Sequence, residues 1–371
     1  MNVIYLIILY AIICICMIIF NVIAIIHNKG NIKINSVKEK KYKIKIKEQL
    51  KKIEIINEIE KEHTKYIKRK LLSSNNLLTY ESIISNYLKR KDENYDNLKK
   101  YLELMKPTFN ELFYKYQKRN SVEKSYYIKV MTEYKLLKNN IIPAIDESLF
   151  ENLNDESIYC RDNSYLAICS MEDPNKINDA LIIISNSEKF FHKNIITIGL
   201  NLYNGKSNEL LNILVKNFNK YSDNIKCCII EYASYIDNNY GKYILELFLN
   251  KKTPRQIRIS CLKYFEYVFY HPAGAILTAS VYKYLDKDEE LCYYIIKALK
   301  NYATKTAIKA IEKSIYSENF KIRDIACESL AFIRLGINAK EVDDFLNNES
   351  ELLEMYDYYF QKNKTRSGEI K

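Results

Sequence analysis

Tryptophan is absent from the 371 residues, and glycine and proline are scarce, at 7 and 5. Turn-rich β-sandwiches and phosphate-loop enzymes use far more of both, so their scarcity points to a mainly helical chain. Histidine occurs only as His27, His63, His192 and His271, none with a metal-ligating neighbour at helical spacing. No Cys-x-x-Cys pair occurs among the nine cysteines. Their odd number, and the scatter of Cys160, Cys169, Cys227, Cys228, Cys261, Cys292 and Cys327 through helical segments, predict reduced thiols packed in a core. The chain also lacks Gly-x-Gly-x-x-Gly, a phosphate-binding loop, His-Glu-x-x-His and Gly-x-Ser-x-Gly. Its adjacent acidic pairs, Asp343-Asp344 and Glu289-Glu290, would diverge by about 100° on a helix and read as solvated faces. On these absences the chain reads as no enzyme, with no cofactor and no metal.

What is present begins with an uncharged apolar run, Asn2 to Ile26. It is long enough to cross a hydrocarbon layer of about 30 Å, and has neither the basic n-region nor the cleavage site of a signal peptide. The expectation is a retained transmembrane helix over 2–26. Lys29, Lys33, Lys38, Lys40, Lys41, Lys43 and Lys45 follow it. The positive-inside rule then predicts a single-pass cell-membrane protein, N-terminus out and C-terminal domain cytoplasmic.

Positive charge is concentrated near that segment. Residues 1–140 hold 28 Lys+Arg and 14 Asp+Glu, a net of +14, whereas the rest hold 29 and 32, a net of −3. A nucleic-acid reader would place the surplus on its recognition domain, so no nucleic-acid partner is expected. Within 27–72, Ile46, Leu50, Ile53, Ile56 and Ile59 fall at helical spacing among lysines. This predicts a basic juxtamembrane amphipathic helix, or a stalk, with 37–72 touching anionic lipid of the inner leaflet. The alternation Tyr42-Lys43-Ile44-Lys45-Ile46 leaves a short strand as the alternative.

A repeat dominates the remainder. Triplets of apolar or small residues at a, a+4 and a+8 begin at Tyr126, Cys160, Phe191, Ile225, Ile257, Leu291 and Ile322, separated by 34, 31, 34, 32, 34 and 31 residues. The pattern buries one helical stripe per unit. A shorter apolar helix precedes most of them, at 177–184, 210–218, 243–249, 275–285 and 307–315. One such hairpin cannot cover its apolar face alone, and stacking the hairpins gives an α-solenoid.

Arg161-Asp162 and Arg323-Asp324, each followed by a small residue (Ser164, Ala326) and then Leu-Ala, resemble the second-helix signature of the HEAT-repeat family. The layout is similar to bacterial membrane-anchored HEAT-repeat proteins. The resemblance implies an all-α fold, a right-handed α-α superhelix of hairpins preceded by one transmembrane helix. It also implies an Asp–Arg ladder between repeats, with Asp155, Arg161, Arg258 and Arg323 as its members. The domains expected are the membrane helix 2–26, the basic segment 27–72, a helical region or degenerate repeat 73–120, repeats over 121–338, a capping helix 339–360 and a polar tail 361–371.

In HEAT-like stacks the second helices line the concave surface. There Tyr232, Tyr235, Tyr264, Tyr267 and Tyr294 would form an aromatic patch for a protein partner, itself membrane-associated. The expected function is a non-catalytic, membrane-tethered scaffold or regulator, with a membrane glycosyltransferase or envelope-polysaccharide assembly as the setting that the layout implies. The alternatives are a nucleic-acid-processing enzyme resembling HEAT-like DNA glycosylases, and a lipid-sensing structural protein using 37–72.

Overall fold

The computed structural model describes residues 3–90, 95–139, 142–236, 238–336 and 350–368. Among them every regular element is helical and no strand occurs. The chain divides into two compact units, Met1–Ala167 and Ile168–Lys371.

Unit 1 begins with α1 (Val3–Ile56), followed by α2 (Lys61–Leu71), α3 (Ser74–Arg90), α4 (Tyr95–Gln117), α5 (Ser121–Glu133) and α6 (Pro143–Asn152). The division between the units falls within α7 (Ile158–Ser170). The helical spacing of Ile46, Leu50 and Ile53 does form a stripe, and with Tyr42 and Gln49 it is buried. The helix packs on α3 and α4. The continuous helix through Tyr42–Ile46 also removes the strand alternative.

One membrane expectation changes with this. Among the described residues no helix is long and apolar enough to cross a membrane, which overturns the predicted single-pass localisation. Physically, α1 runs without a break into a lysine-rich stretch whose apolar stripe packs on protein. Of the predicted span 2–26, the side chains of 2–9, 11, 12 and 21–26 lie outside those described. A helix lying on a leaflet inserts its apolar stripe. In 37–72 the stripe of Tyr42, Ile46, Gln49, Leu50 and Ile53 is covered by protein, while Lys43, Lys45 and Lys51 are exposed together with Ile44, Ile55 and Ile56.

Unit 2 is a run of hairpins. Its first helices are α8 (Pro174–Asn186), α10 (Ser207–Lys216), α12 (Gly241–Leu249), α14 (His271–Tyr284) and α16 (Lys305–Ile315). Their second helices are α9 (Lys193–Leu202), α11 (Asp223–Ile236), α13 (Arg255–Tyr267), α15 (Glu289–Leu299) and α17 (Phe320–Gly336). The second helices α11, α13, α15 and α17 each carry one of the periodic triplets, while Phe191 precedes α9; Ile257, Cys261 and Phe265, or Ile322, Ala326 and Leu330, are at most 2 % exposed. Second helices pack side by side in sequence, α9 on α11, α11 on α13, α13 on α15 and α15 on α17.

Local chemistry sets the hairpin boundaries. Asp173 caps α8 by accepting from the N–H groups of Asn175 and Lys176, with Pro174 in the first turn. Asp288 and Thr304 cap α15 and α16 in the same way. The last helix, α18 (Ser350–Gly368), packs on α17, burying Tyr356 and donating from the Tyr359 hydroxyl to Asp324 Oδ1 at 2.7 Å. Residues 361–368, expected as a polar tail, continue this helix. Residues 339–349 of the expected capping helix lie outside the described residues.

Candidate interaction surface

A second helix inside the stack touches its own first helix and a second helix on either side, so only a narrow stripe stays free. On α11 that stripe includes Glu231 and Tyr235, and on α13 Lys263 and Tyr267. Tyr235 and Tyr267 are 56 % and 62 % exposed, with ring centroids 5.8 Å apart at 45°. They occupy the same position in consecutive hairpins, where Phe332 stands on α17, also exposed.

The predicted five-tyrosine patch is therefore corrected. Tyr232 and Tyr264 are 2 % and 1 % exposed and belong to the core. Tyr294 is half-buried, with the Lys263 ammonium 5.1 Å from its ring centroid.

Charge surrounds the remaining pair. Glu266 accepts from both Lys297 (3.2 Å) and Lys300 (3.0 Å). Against the cost of burial, this carboxylate holds the Lys297 ammonium above its ordinary range. Lys300 in turn lies 5.7 Å from the Phe332 ring centroid. On its other side Tyr235 borders a cleft of about 730 Å³ lined by Ser207, Asn208, Asn212 and Ile213. Burial, then the Glu231 carboxylate, raises the Tyr235 phenol, which stays protonated as a hydrogen-bond donor.

The Asp–Arg ladder is also corrected. Arg161 donates to the backbone carbonyls of Asp155 (2.8 Å) and Glu156 (3.0 Å), fastening the turn of its own hairpin. Arg323 repeats this on Ser317 (2.9 Å) and Glu318 (3.0 Å). Arg258 reaches the Phe248 carbonyl and the Tyr284 hydroxyl, the latter at 2.6 Å. The ion pairs that join hairpins use other cations. Lys124 pairs with Asp155 at 2.6 Å, and Arg255 grips Asp288 through two nitrogens at 2.8 and 3.1 Å and also pairs with Glu290. Lys124 and Arg255 each stand two residues before a triplet anchor, a recurrence readable in the sequence but not used there.

Burial pushes the thiols of Cys228 and Cys327 up to about 11 and that of Cys292 to about 12, which suits packing rather than nucleophilic attack. Among the described residues no three His, Cys, Asp or Glu side chains gather as a metal site.

No family model matches the chain, and no curated protein does. Among solved structures, one match is human deoxyhypusine hydroxylase in complex with glycerol, at 10 % identity, covering 80 % of this chain and 96 % of that one, with a TM-score of 0.26. The reading of the chain as no enzyme does not stand beside this match. The protein matched is a hydroxylase. At that TM-score the match assigns no activity either. The repeated hairpins themselves show an all-helical, solenoid-like fold.

Proposed function

We propose that the chain binds a protein partner along the free stripe of the second helices in unit 2, with Tyr235 and Tyr267 at its centre. The observation that carries this is the exposed aromatic pair held in register on adjacent hairpins. Tyrosines in such positions supply large contact area at low entropic cost and recur at interface hot spots. Lys263 beside them makes no ion pair among the described residues. The partner segment expected is one that lays an apolar side chain between the two rings and a carboxylate against this ammonium.

The test places a photoreactive phenylalanine at Tyr267 of the full chain, and separately at Tyr282, an exposed tyrosine on α14. One discrete adduct at Tyr267, lost on Tyr235→Ala but absent at Tyr282, is the expected result. Equal labelling at both positions, or an adduct indifferent to Tyr235→Ala, would sink the reading.

A further inference from the structure

The C-terminal part of α1 has two unlike faces. Tyr42, Ile46, Gln49, Leu50 and Ile53 form the buried one. At about 100° per residue, the centre of the opposite face falls at Ile44, Lys51 and Ile55, and Lys40, Lys41, Lys47 and Glu48 lie within about 60° of it. Ile44 is 57 % exposed and Ile55 85 %, and the four lysines are exposed with them. The two isoleucines stand three turns apart, about 16 Å along the axis. The outward face is thus a narrow strip of lysines with one uncovered aliphatic side chain near each end.

The charge of this strip is not balanced from within. Lys40, Lys41, Lys47 and Lys51 make no ion pair among the described residues, whereas Lys52, at the edge of the face, is held by Glu60. Glu48 is the one carboxylate in the arc. A partner must therefore be anionic and must also receive two isolated aliphatic side chains. Nucleic acid meets the first requirement through its phosphates but offers no apolar phase to the isoleucines. A folded protein suits the pattern poorly, because the centres of protein interfaces are depleted in lysine, and here lysines fill the centre. An anionic bilayer meets both requirements, with phosphate and carboxylate groups at its surface and acyl chains just beneath.

We propose that the outward face of α1 lies on the surface of an anionic phospholipid bilayer. The ammonium groups of Lys40, Lys41, Lys47 and Lys51 sit among the headgroups, their methylene stems lying along the boundary with the acyl chains. Ile44 and Ile55 enter that boundary. The attachment is peripheral and needs no membrane-spanning helix, and the buried stripe keeps its packing on α3 and α4 throughout. Each lysine close to an anionic surface contributes about fivefold in affinity.

The absence of tryptophan makes a local test possible. Ile44→Trp and Ile55→Trp each give a full-length chain with a single fluorescent reporter on this face, and Tyr282→Trp gives one on α14 of unit 2 as a control. Vesicles of phosphatidylcholine and phosphatidylserine in about 2:1 proportion should shift the emission of both α1 reporters to the blue and leave the control unmoved. Lipids brominated along the acyl chain should quench the same two reporters. Adding Lys47→Gln and Lys51→Gln to Ile44→Trp should weaken the response about twentyfold, at about fivefold for each ammonium lost, and about 0.5 M salt should weaken it as well. Lipid taken up elsewhere on the chain, as at the exposed Ile18 and Phe20 of the same helix, would leave both reporters unmoved and overturn the proposal. So would an equal response to phosphatidylcholine alone, an affinity unchanged by the two glutamines, or a stronger response to double-stranded DNA than to the vesicles.

Discussion

Unit 1 fills its interior with rings, whereas the repeating core positions of unit 2 hold mainly Ile, Leu, Ala and Cys. Tyr80, Tyr101, Phe109, Phe113, Tyr116 and Tyr127 are all fully buried in unit 1. Tyr116 and Tyr127 stack at 4.2 Å and 11°. Each buried hydroxyl needs a partner. Tyr116 donates to the Leu71 carbonyl and Tyr127 to the Phe109 carbonyl, both at 2.7 Å, while Tyr80, Tyr101 and His63 form a chain. Directional bonds of this kind tie particular residues to particular places and do not recur along the sequence. Aliphatic contacts are non-directional, so one small set can be reused hairpin after hairpin.

The largest effect expected from this contrast comes from removing an anchor of the repeating core. Phe265→Ala should cost about 3–5 kcal/mol by emptying a fully buried site on α13. In a stack whose members lean on nearest neighbours, the loss should spread to α11 and α15. Hydrogen exchange read by mass spectrometry should show faster exchange in those helices and unchanged protection in α4 and α5. Equal loss of protection in both units would break the comparison.

A smaller effect is expected from pH and belongs to unit 1 alone. Burial, then the nearby Lys45 ammonium, lowers the folded pKa of His63 from its ordinary 6.5 to about 4. Above pH 6.5 neither the folded nor the unfolded chain holds this proton, and the group is silent. As pH falls from about 6.5 toward 4, the unfolded chain takes up a proton that the folded one does not, and stability declines. Between pH 6.5 and 5 the decline should be about 1.5 kcal/mol. Urea midpoints at the two pH values should therefore separate for the wild type and converge for His63→Gln; equal separation in both would remove His63 as the cause.

The same contrast explains what the sequence made legible. The triplets beginning at Ile225, Ile257, Leu291 and Ile322 fall on second helices because each buries the same stripe in the same surroundings. Which side of the helix then stays free depends on how the neighbouring helices pack, and Tyr232 and Tyr264 fall on the covered side. Tyr235 and Tyr267, three residues further along their helices, emerge beyond the packed region. In unit 1 the helical spacing of Ile46, Leu50 and Ile53 marks the stripe of α1 that is buried, but not the helices that cover it, α3 and α4. The buried setting of His63 was illegible for a related reason, since its ring partner, Tyr101, lies 38 residues away.

The smallest effect sets one inter-hairpin ion pair of each unit side by side. Lys124–Asp155 in unit 1 has side chains 12 % and 14 % exposed, and against the cost of burial the ammonium holds the Asp155 carboxyl below the usual carboxylate range. Arg255–Asp288 in unit 2 has the better two-nitrogen geometry, but its side chains are 50 % and 23 % exposed. Solvent screening governs exposed pairs, so geometry should matter less here than burial. Double-mutant cycles with Lys124→Met and Asp155→Asn should give a coupling of about 1–2 kcal/mol that survives 0.5 M salt. Arg255→Met with Asp288→Asn should give about 0.5 kcal/mol, falling toward zero in the same salt. The cycle isolates the pair from the loss of the Asp288 cap on Leu291, because that loss is common to both arms. A larger coupling for the exposed pair would mean that bidentate geometry outweighs burial, and that unit 2 is held together by its charged rungs as much as by its aliphatic core.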